Sequence, residues 1–293
     1  MKPNIGDKTL WAELLPFEFN RRLAENPVVY LPLGICEPHG QVSAFGLDTF
    51  KAEWLCTEAA KRMGGIVAPS LGYHIHETGY HARWLQDEIG EEKAPMTAMP
   101  PDVFLLFFLY QLRAFVNSGF RTIVVVSGHS GGNQRDLRLA ADIFMKYVPV
   151  QVWVCSDPEL VEDLFEGDHA GKYEISQLMY IKPPFIDMAL QRLEKAPGSG
   201  GRLALGLDAS EANEALGKEI MEACLARLCD EISRLQAACL DQAAKKITPA
   251  QMEVIRGEVL ASVSKWVTTK PWPEQQAVGK ESQWKPFEYY SPF

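Results

Sequence analysis

Four short, almost uninterrupted aliphatic runs constrain what this chain can fold into. They are VVYLPLGI (28–35), GIVAPSLGY (65–73), TIVVVSG (122–128) and VQVWVC (150–155). A strand with one wet face alternates apolar and polar residues, whereas a strand covered on both faces does not. Helical patterns separate the runs: TFKAEWLCTEAAKRM (49–63), PDVFLLFFLYQLRAFVNSG (101–119) and NQRDLRLAADIFMKYV (133–148). This alternation predicts an α/β protein, its central sheet mainly parallel and covered on both faces. A further helix is expected from near Tyr173. A long amphipathic one is expected over about 209–246, its start marked by Ser210 and Glu214 with Asp208 upstream.

A length of 293 residues suits one large domain or two ordinary ones. The reading is a single domain over 1–250. Residues 251–293 form a C-terminal extension rich in proline and aromatics, expected to pack on the core or on a neighbouring subunit. A formal charge of −9 argues against nucleic acid or an anionic membrane as the main partner. The N-terminus has no apolar h-region, and no apolar run approaches the roughly 20 residues of a membrane span. The cysteines at 36, 56, 155, 224, 229 and 239 include no C-x-x-C pair. They read as small buried hydrophobes in a reducing cytoplasm.

All six histidines fall between residues 39 and 169. The first strand runs into Cys-Glu-Pro-His-Gly, and positions i and i+2 of extended backbone share a side, so Glu37 and His39 should face one space. Cys36 should point away. Pro38 cannot donate a ladder bond, so the sheet lets go there. His129 follows TIVVVSG, and ligands of open α/β sheets bind beyond the carboxyl ends of strands. Asp48 reads either as the cap of the next helix or as a carboxylate folded back over the strand end, where it can bridge two metal ions. DHAGKYEIS (168–176) offers Asp168, His169 and Glu174, the last also suited to a helix's first turn. Glu37, His39, Asp48, His129 and Glu174 make a mixed N/O set without thiolate. Such a set suits Zn, Mn or Fe(II) more than Cu(I) or an iron–sulfur cluster.

GICEPHG, GLDTF, SGHSGGN and DHAGKYEIS, in that order, resemble the creatininase (creatinine amidohydrolase) family. Its members carry Glu-x-His-Gly, an Asp before a helix, Gly-His-Gly-Gly-Asn and His-Ala-Gly-x-x-Glu-Thr-Ser. LGLDASEANEALGKEI looks like the family's closing helix, and the likeness covers about residues 25–240. The resemblance implies a three-layer α/β/α sandwich and a metal-dependent hydrolase, often hexameric, acting on cyclic amides or related compounds. It makes Glu37, His39, Asp48 and His129 metal ligands, with Asp48 the bridge between one or two divalent ions, and His169 the acid/base. Creatininase has a ligating Glu two residues after the second His, where this chain has Gly131, so Glu174 is expected to complete a second metal position or to back up His169 as proton donor.

SGHSGGN is one residue longer than the usual motif, and EIS replaces ETS. The segment 74–96 lacks the family's Pro-Gly-Thr and carries His74, His76, His81 and Trp84 instead. These departures bear on the substrate. Cleavage of a cyclic amide C–N bond and of a C–C bond in a cyclic polyol diketone share carbonyl attack and differ in the leaving atom. Some creatininase-like proteins look suited to cyclic polyol ketones.

Two other readings stand beside this one. SGHSGGN also holds G-x-S-x-G, so Ser130 can be a serine-hydrolase nucleophile with Asp157 or Asp163 and then His169. A non-catalytic small-molecule-binding α/β module requires the histidine cluster to be incidental.

Overall fold

The computed structural model describes residues 8–90, 94–238 and 245–276. Helix α1 (Pro16–Glu25) leads into β1 (Val28–Leu33), α2 (Leu47–Met63) and β2 (Ile66–Val67). Next come β3 (His74–Ile75), α3 (Gly79–Glu88), β4 (Ala98–Met99), α4 (Pro101–Ser118), β5 (Thr122–Ser127) and α5 (Asn133–Tyr147). The chain continues through β6 (Gln151–Ser156), the short α6 (Asp157–Leu160), α7 (Lys172–Ile181), α8 (Glu214–Ala237) and α9 (Pro249–Ala261).

The main sheet is parallel, in the order β2-β1-β5-β6, with Val28 facing Thr122 and Thr122 facing Gln151. Strand side chains alternate between two cores, the physical content of covering both faces. Val29, Leu31, Ile123 and Val125 pack with Phe104 and Phe108 of α4, Phe144 of α5 and Ile255 of α9. Val28, Tyr30, Val124 and Val126 pack with Leu55 of α2 and Ile220, Cys224 and Leu228 of α8. The result is the expected α/β/α sandwich. Each fully buried aliphatic or phenyl side chain contributes about 1.5–3 kcal/mol. Exposed ion pairs such as Arg21–Glu25 contribute about 0–1 kcal/mol, so these two cores decide stability.

Two local expectations are corrected, and one open alternative is decided. The run 65–73 gives a strand of only Ile66–Val67, followed by a lone bridge from Leu33 to Leu71. Pro69, inside that run, lacks the N–H a longer ladder needs. The long helix begins at Glu214 rather than at Ser210, which lies in a 3₁₀ turn over Ala209–Glu211. Asn213 is its cap, accepting from the Leu216 N–H. That helix ends at Ala237; of its expected remainder, 239–244 lie outside the described residues. Asp48 is no cap: it sits in the first turn of α2 and makes no side-chain capping bond, the cap position being Gly46.

Of the C-terminal extension, α9 buries Met252, Ile255 and Val259 in the core it shares with α4 and α5. Residues 277–293 lie outside the described residues.

Candidate metal centre

Strand β1 turns one way to β2 and has β5 on its other side, so sheet order reverses beside β1, and the loops after β1 and β5 open into one crevice. Two glycines bring α2 against these strand ends. A Cβ on Gly34 would meet the Thr49 nitrogen at 2.4 Å, and one on Gly128 would meet the Asp48 carbonyl oxygen at 2.0 Å. Without side chains there, the first turn of α2 drops onto both strands and carries the Asp48 carboxylate between them.

Glu37, His39, Asp48 and His129 converge there, joined by Glu174 from the first turn of α7, and all five are buried. His129 Nδ1 lies 3.0 Å from Glu37 Oε1 and 3.3 Å from Asp48 Oδ2. His39 Nε2 lies 3.2 Å from Asp48 Oδ1 and 3.4 Å from Glu174 Oε2. Glu37 and His39 meet not by strand alternation, since β1 ends at Leu33, but through the loop: His39 Nδ1 bonds the Glu37 carbonyl at 3.0 Å. A carbonyl only accepts, so Nδ1 donates to it, and Nε2 is the ring atom turned to Asp48 and Glu174. Their charges outweigh burial and hold the imidazole well above its usual range when no cation stands between them.

These five donors form two groups, Glu37–Asp48–His129 and His39–Asp48–Glu174, each with ligand atoms within 4.8 Å of one another and sharing Asp48; Glu37–His39–His169 and His76–His81–His129 meet the same distance. Glu37 Oε2, His39 Nε2 and both Asp48 oxygens are buried without a hydrogen-bond partner. Buried polar atoms are rarely left so. Lone pairs of carboxylate and imidazole aimed at shared points fit a divalent cation.

Electrostatics agree with a site built for positive charge. Burial opposes a charged His129, but Glu37 and Asp48 outweigh it and push the imidazole up to about 10. Burial likewise resists an Asp48 carboxylate, yet His39, His129 and Lys51 hold it well below the usual range. Lys51 is fully buried, its Nζ 2.5 Å from Glu174 Oε1, 3.3 Å from Asp157 Oδ1 and 3.8 Å from Asp48 Oδ1. Burial opposes its charge, but Asp157, Glu174 and Asp48 more than restore it. Asp157 is nonetheless pushed up to about 6, chiefly by burial and further by the negative charges of Glu174 and Asp48, against Lys51 and the Gln177 hydrogen bond.

His169 stands beside the centre. Its ring stacks on His39 at 4.7 Å between centroids, and Nε2 bonds the Pro38 carbonyl at 3.0 Å. Nε2 therefore donates, and Nδ1 is left 3.9 Å from Glu37 Oε1. Asp168 is not placed as a ligand: it accepts from the N–H groups of Gly171, Tyr173 and Glu174 and secures the start of α7.

The loop histidines divide. His74 is a core residue, stacked on Phe104 and within 3.2 Å of the Ser127 hydroxyl, which itself donates to the His129 carbonyl. His76 and His81 line a cavity of about 220 Å³ above the centre, together with Trp84, His129 and His169. Burial holds both His76 and His81 well below the usual imidazole range, and His76 Nδ1 lies 3.3 Å from Glu37 Oε2 and 3.2 Å from His129 Nε2. Trp84 meets His169 edge-on at 4.7 Å.

Ser130 lines the cavity, but the relay a nucleophile elbow needs is not assembled among the described residues. Asp157 is held by Lys51 and Gln177, and Asp163 pairs with Arg227 at the surface. His169 turns to Pro38 instead. The sequence reading missed Lys51, Tyr80 and Gln275. Lys51 was detectable: it lies three residues after Asp48 and four before Leu55, on the helix face that must be buried. Tyr80 and Gln275 gave no such signal.

A parallel α/β/α sandwich with carboxylates and imidazoles gathered at its switch point defines a class, the hydrolases built around such a centre. The family model described as creatinine amidohydrolase (Creatininase) matches residues 12–232, and the chain belongs to that family. It is 25% identical over 197 residues to creatinine amidohydrolase of Pseudomonas putida, covering 60% of this chain and 73% of that one. It is 27% identical over 161 residues to 3-dehydro-scyllo-inosose hydrolase of Thermotoga maritima, covering 54% of this chain and 48%, about half, of that one. A solved structure named "Creatininase Mn" superposes with a TM-score of 0.66 at 21% identity, covering 78% of this chain and 99% of that chain. At that identity the superposition shows the shared fold.

Proposed function

We propose that this chain is a metal-dependent hydrolase that opens a small, uncharged cyclic substrate at a carbonyl carbon. The observation that carries the reading is the convergence of Glu37, His39, Asp48, His129 and Glu174 with buried lone pairs left unpartnered. Glu37, Asp48 and His129 would hold one divalent ion, and His39, Asp48 and Glu174 a second, with Zn, Mn or Fe(II) suited to the donors. A bound ion there supplies hydroxide near neutral pH and polarises the carbonyl.

The chain's own residues do the rest. Asp48 would serve both positions, and Lys51 orients Glu174 by occupying its Oε1. His169, its ring fixed by Nε2 on Pro38, takes up at Nδ1 the proton released by the attacking water and passes it to the leaving atom. Trp84 backs His169 and narrows water's access to it. A cavity of about 220 Å³ is smaller than the ~300–1,000 Å³ of pockets for drug-sized ligands, and none of its lining residues is Lys or Arg. A neutral ring suits it better than a carboxylate or phosphate. Both a cyclic amide (C–N cleavage) and an inositol-derived polyol diketone (C–C cleavage) meet that description.

No helix among the described residues is long and apolar enough to cross a membrane. Cys36, Cys56, Cys155, Cys224 and Cys229 are unpaired, which supports a reducing cytoplasm. An exposed apolar stripe on α4 supports a homo-oligomer, with a hexamer the assembly implied by the family resemblance.

The test joins metal analysis of the purified protein to activity screening on lactams and cyclic polyol ketones. Stoichiometric first-row metal, with activity lost on chelation and regained on metal return, is expected. A metal-free protein with full activity would overturn the reading. Ser130→Ala is expected to keep most activity, and the wild type to resist fluorophosphonate labelling. Labelling at Ser130 with loss of activity would hand the chemistry to serine.

A further inference from the structure

The family match ends at residue 232, yet the chain returns to the cavity some forty residues later, and Trp272 and Gln275 form part of its wall. That return is a built feature. Trp266 is fully buried, its indole N–H donating to Ser262 Oγ. The buried Asp136 of α5 accepts from the N–H of Val267 at 2.8 Å, the N–H of Thr268 at 3.0 Å and the Thr268 hydroxyl at 2.6 Å. The other side of the segment is tied to the start of α3. Thr78 Oγ1 donates to the Thr268 carbonyl, the Tyr80 N–H to the Lys270 carbonyl, and Gln275 Nε2 to the Tyr80 carbonyl. Gly79, at φ +60°, permits the approach: a Cβ there would lie 2.5 Å from the Thr268 carbonyl oxygen.

What this scaffold presents is an aromatic face. Trp272 packs on Tyr80 with centroids 4.4 Å apart and remains 44% exposed, although Asp136, Trp266 and Thr268, which fix the segment, are buried. Trp272 borders both this cavity and the more open cleft beside it, so the indole stands at the mouth of the cavity, placed to touch what enters. An indole accepts the apolar C–H face of a ring, while the polar edge of that ring turns to the imidazoles opposite.

Resting on the reading of the cavity as a substrate pocket, we infer that Trp272 is a specificity-determining residue. It supplies an aromatic subsite for one face of an uncharged, hydroxyl-bearing ring. Asp136 is the positioning residue that holds it there. The subsite belongs to a segment outside the family match, so it distinguishes this chain's ligand choice from chemistry set by the shared centre.

The test uses the metal-loaded full chain labelled with 5-fluorotryptophan, the Trp272 resonance being assigned by its loss in Trp272→Phe. Two unreactive neutral rings, myo-inositol and 2-pyrrolidinone, are titrated. The Trp272 resonance should shift saturably, and more strongly with myo-inositol. Trp272→Ala should weaken binding by about tenfold, the worth of one aromatic contact, and Trp272→Phe by threefold or less. Thr268→Val, which removes one bond to Asp136, should weaken binding with bound metal unchanged. Absence of binding by both rings would overturn the subsite, as would binding that leaves the Trp272 resonance unmoved or Trp272→Ala unaffected. Metal content is read on the same samples, so loss of the metal-hydrolase reading shows as missing metal, independently of where a ring binds.

Discussion

At the residue scale the centre separates groups that hold charge from one that moves it, and substitution should separate them too. Glu37→Gln and His39→Ala each remove a donor whose lone pair has no protein partner, so metal should be lost while the two cores keep the chain folded. His169→Ala should behave differently. Its Nε2 is spent on Pro38 and it is 30% exposed, so it should keep its metal while kcat falls by about 10²–10⁴. Metal analysis beside single-turnover kinetics decides; stoichiometric metal loss in His169→Ala would make it a ligand and leave Glu174 as proton donor. Lys51 tests a third role. Lys51→Met leaves Glu174 and Asp157 facing each other's charge in a dry interior, so denaturant unfolding should show a loss of about 3–5 kcal/mol. A loss below 1 kcal/mol would mean that the carboxylates find compensation elsewhere.

At the scale of elements, the loops after β1 and β5 carry opposed charges whose balance depends on the ion. Without metal, His129 is raised from 6.5 to about 10 by Glu37 and Asp48, against burial. The folded chain then binds a proton that the unfolded chain releases as pH passes 6.5. That contribution to stability is whole below about 6.5 and lost as pH rises through about 10. Chelated protein should therefore melt at progressively lower temperature over that window, while metal-loaded protein, its charge supplied by the ion, should not. Parallel melting curves would contradict the placement of His129.

The same loops show how much was legible in the sequence. The both-faces-buried runs at β1 and β5, and the apolar run of the edge strand β6, where Gln151 and Trp153 are half-buried, marked the sheet. Glu37, His39 and His129 were legible because polar residues ending such apolar runs lie at the carboxyl ends of the strands, where ligands of open α/β sheets bind. Asp48 stayed ambiguous, since capping and metal binding ask for the same residue type, and only Gly34 and Gly128 in three dimensions decide between them. The wall built from Tyr80, Trp272 and Gln275 was hidden, because a contact across nearly two hundred residues leaves no local period.

At the scale of the whole molecule, α4 has more apolar surface than one core needs. Phe104, Phe108 and Leu112 face inward and are buried, while Val103, Phe107 and Tyr110 are each more than 40% exposed. Positions 103, 107 and 110 follow the four- and three-residue steps of one helix face, so they form a stripe rather than scattered contacts. A helix apolar on both sides is one that is covered on both sides. With a net charge of −9, copies repel at a distance, so an apolar seam is what can hold them together, and raising salt should strengthen rather than weaken association. Light scattering should therefore find a homo-oligomer. Phe107→Glu should shift the mass to smaller species and raise the dissociation constant by roughly 100-fold, because it buries an unpaired carboxylate at the seam. The same substitution on a face turned to solvent leaves secondary structure and metal content unchanged, which separates loss of assembly from loss of fold. A wild-type protein that stays a monodisperse monomer at high salt would show that this stripe serves some other contact.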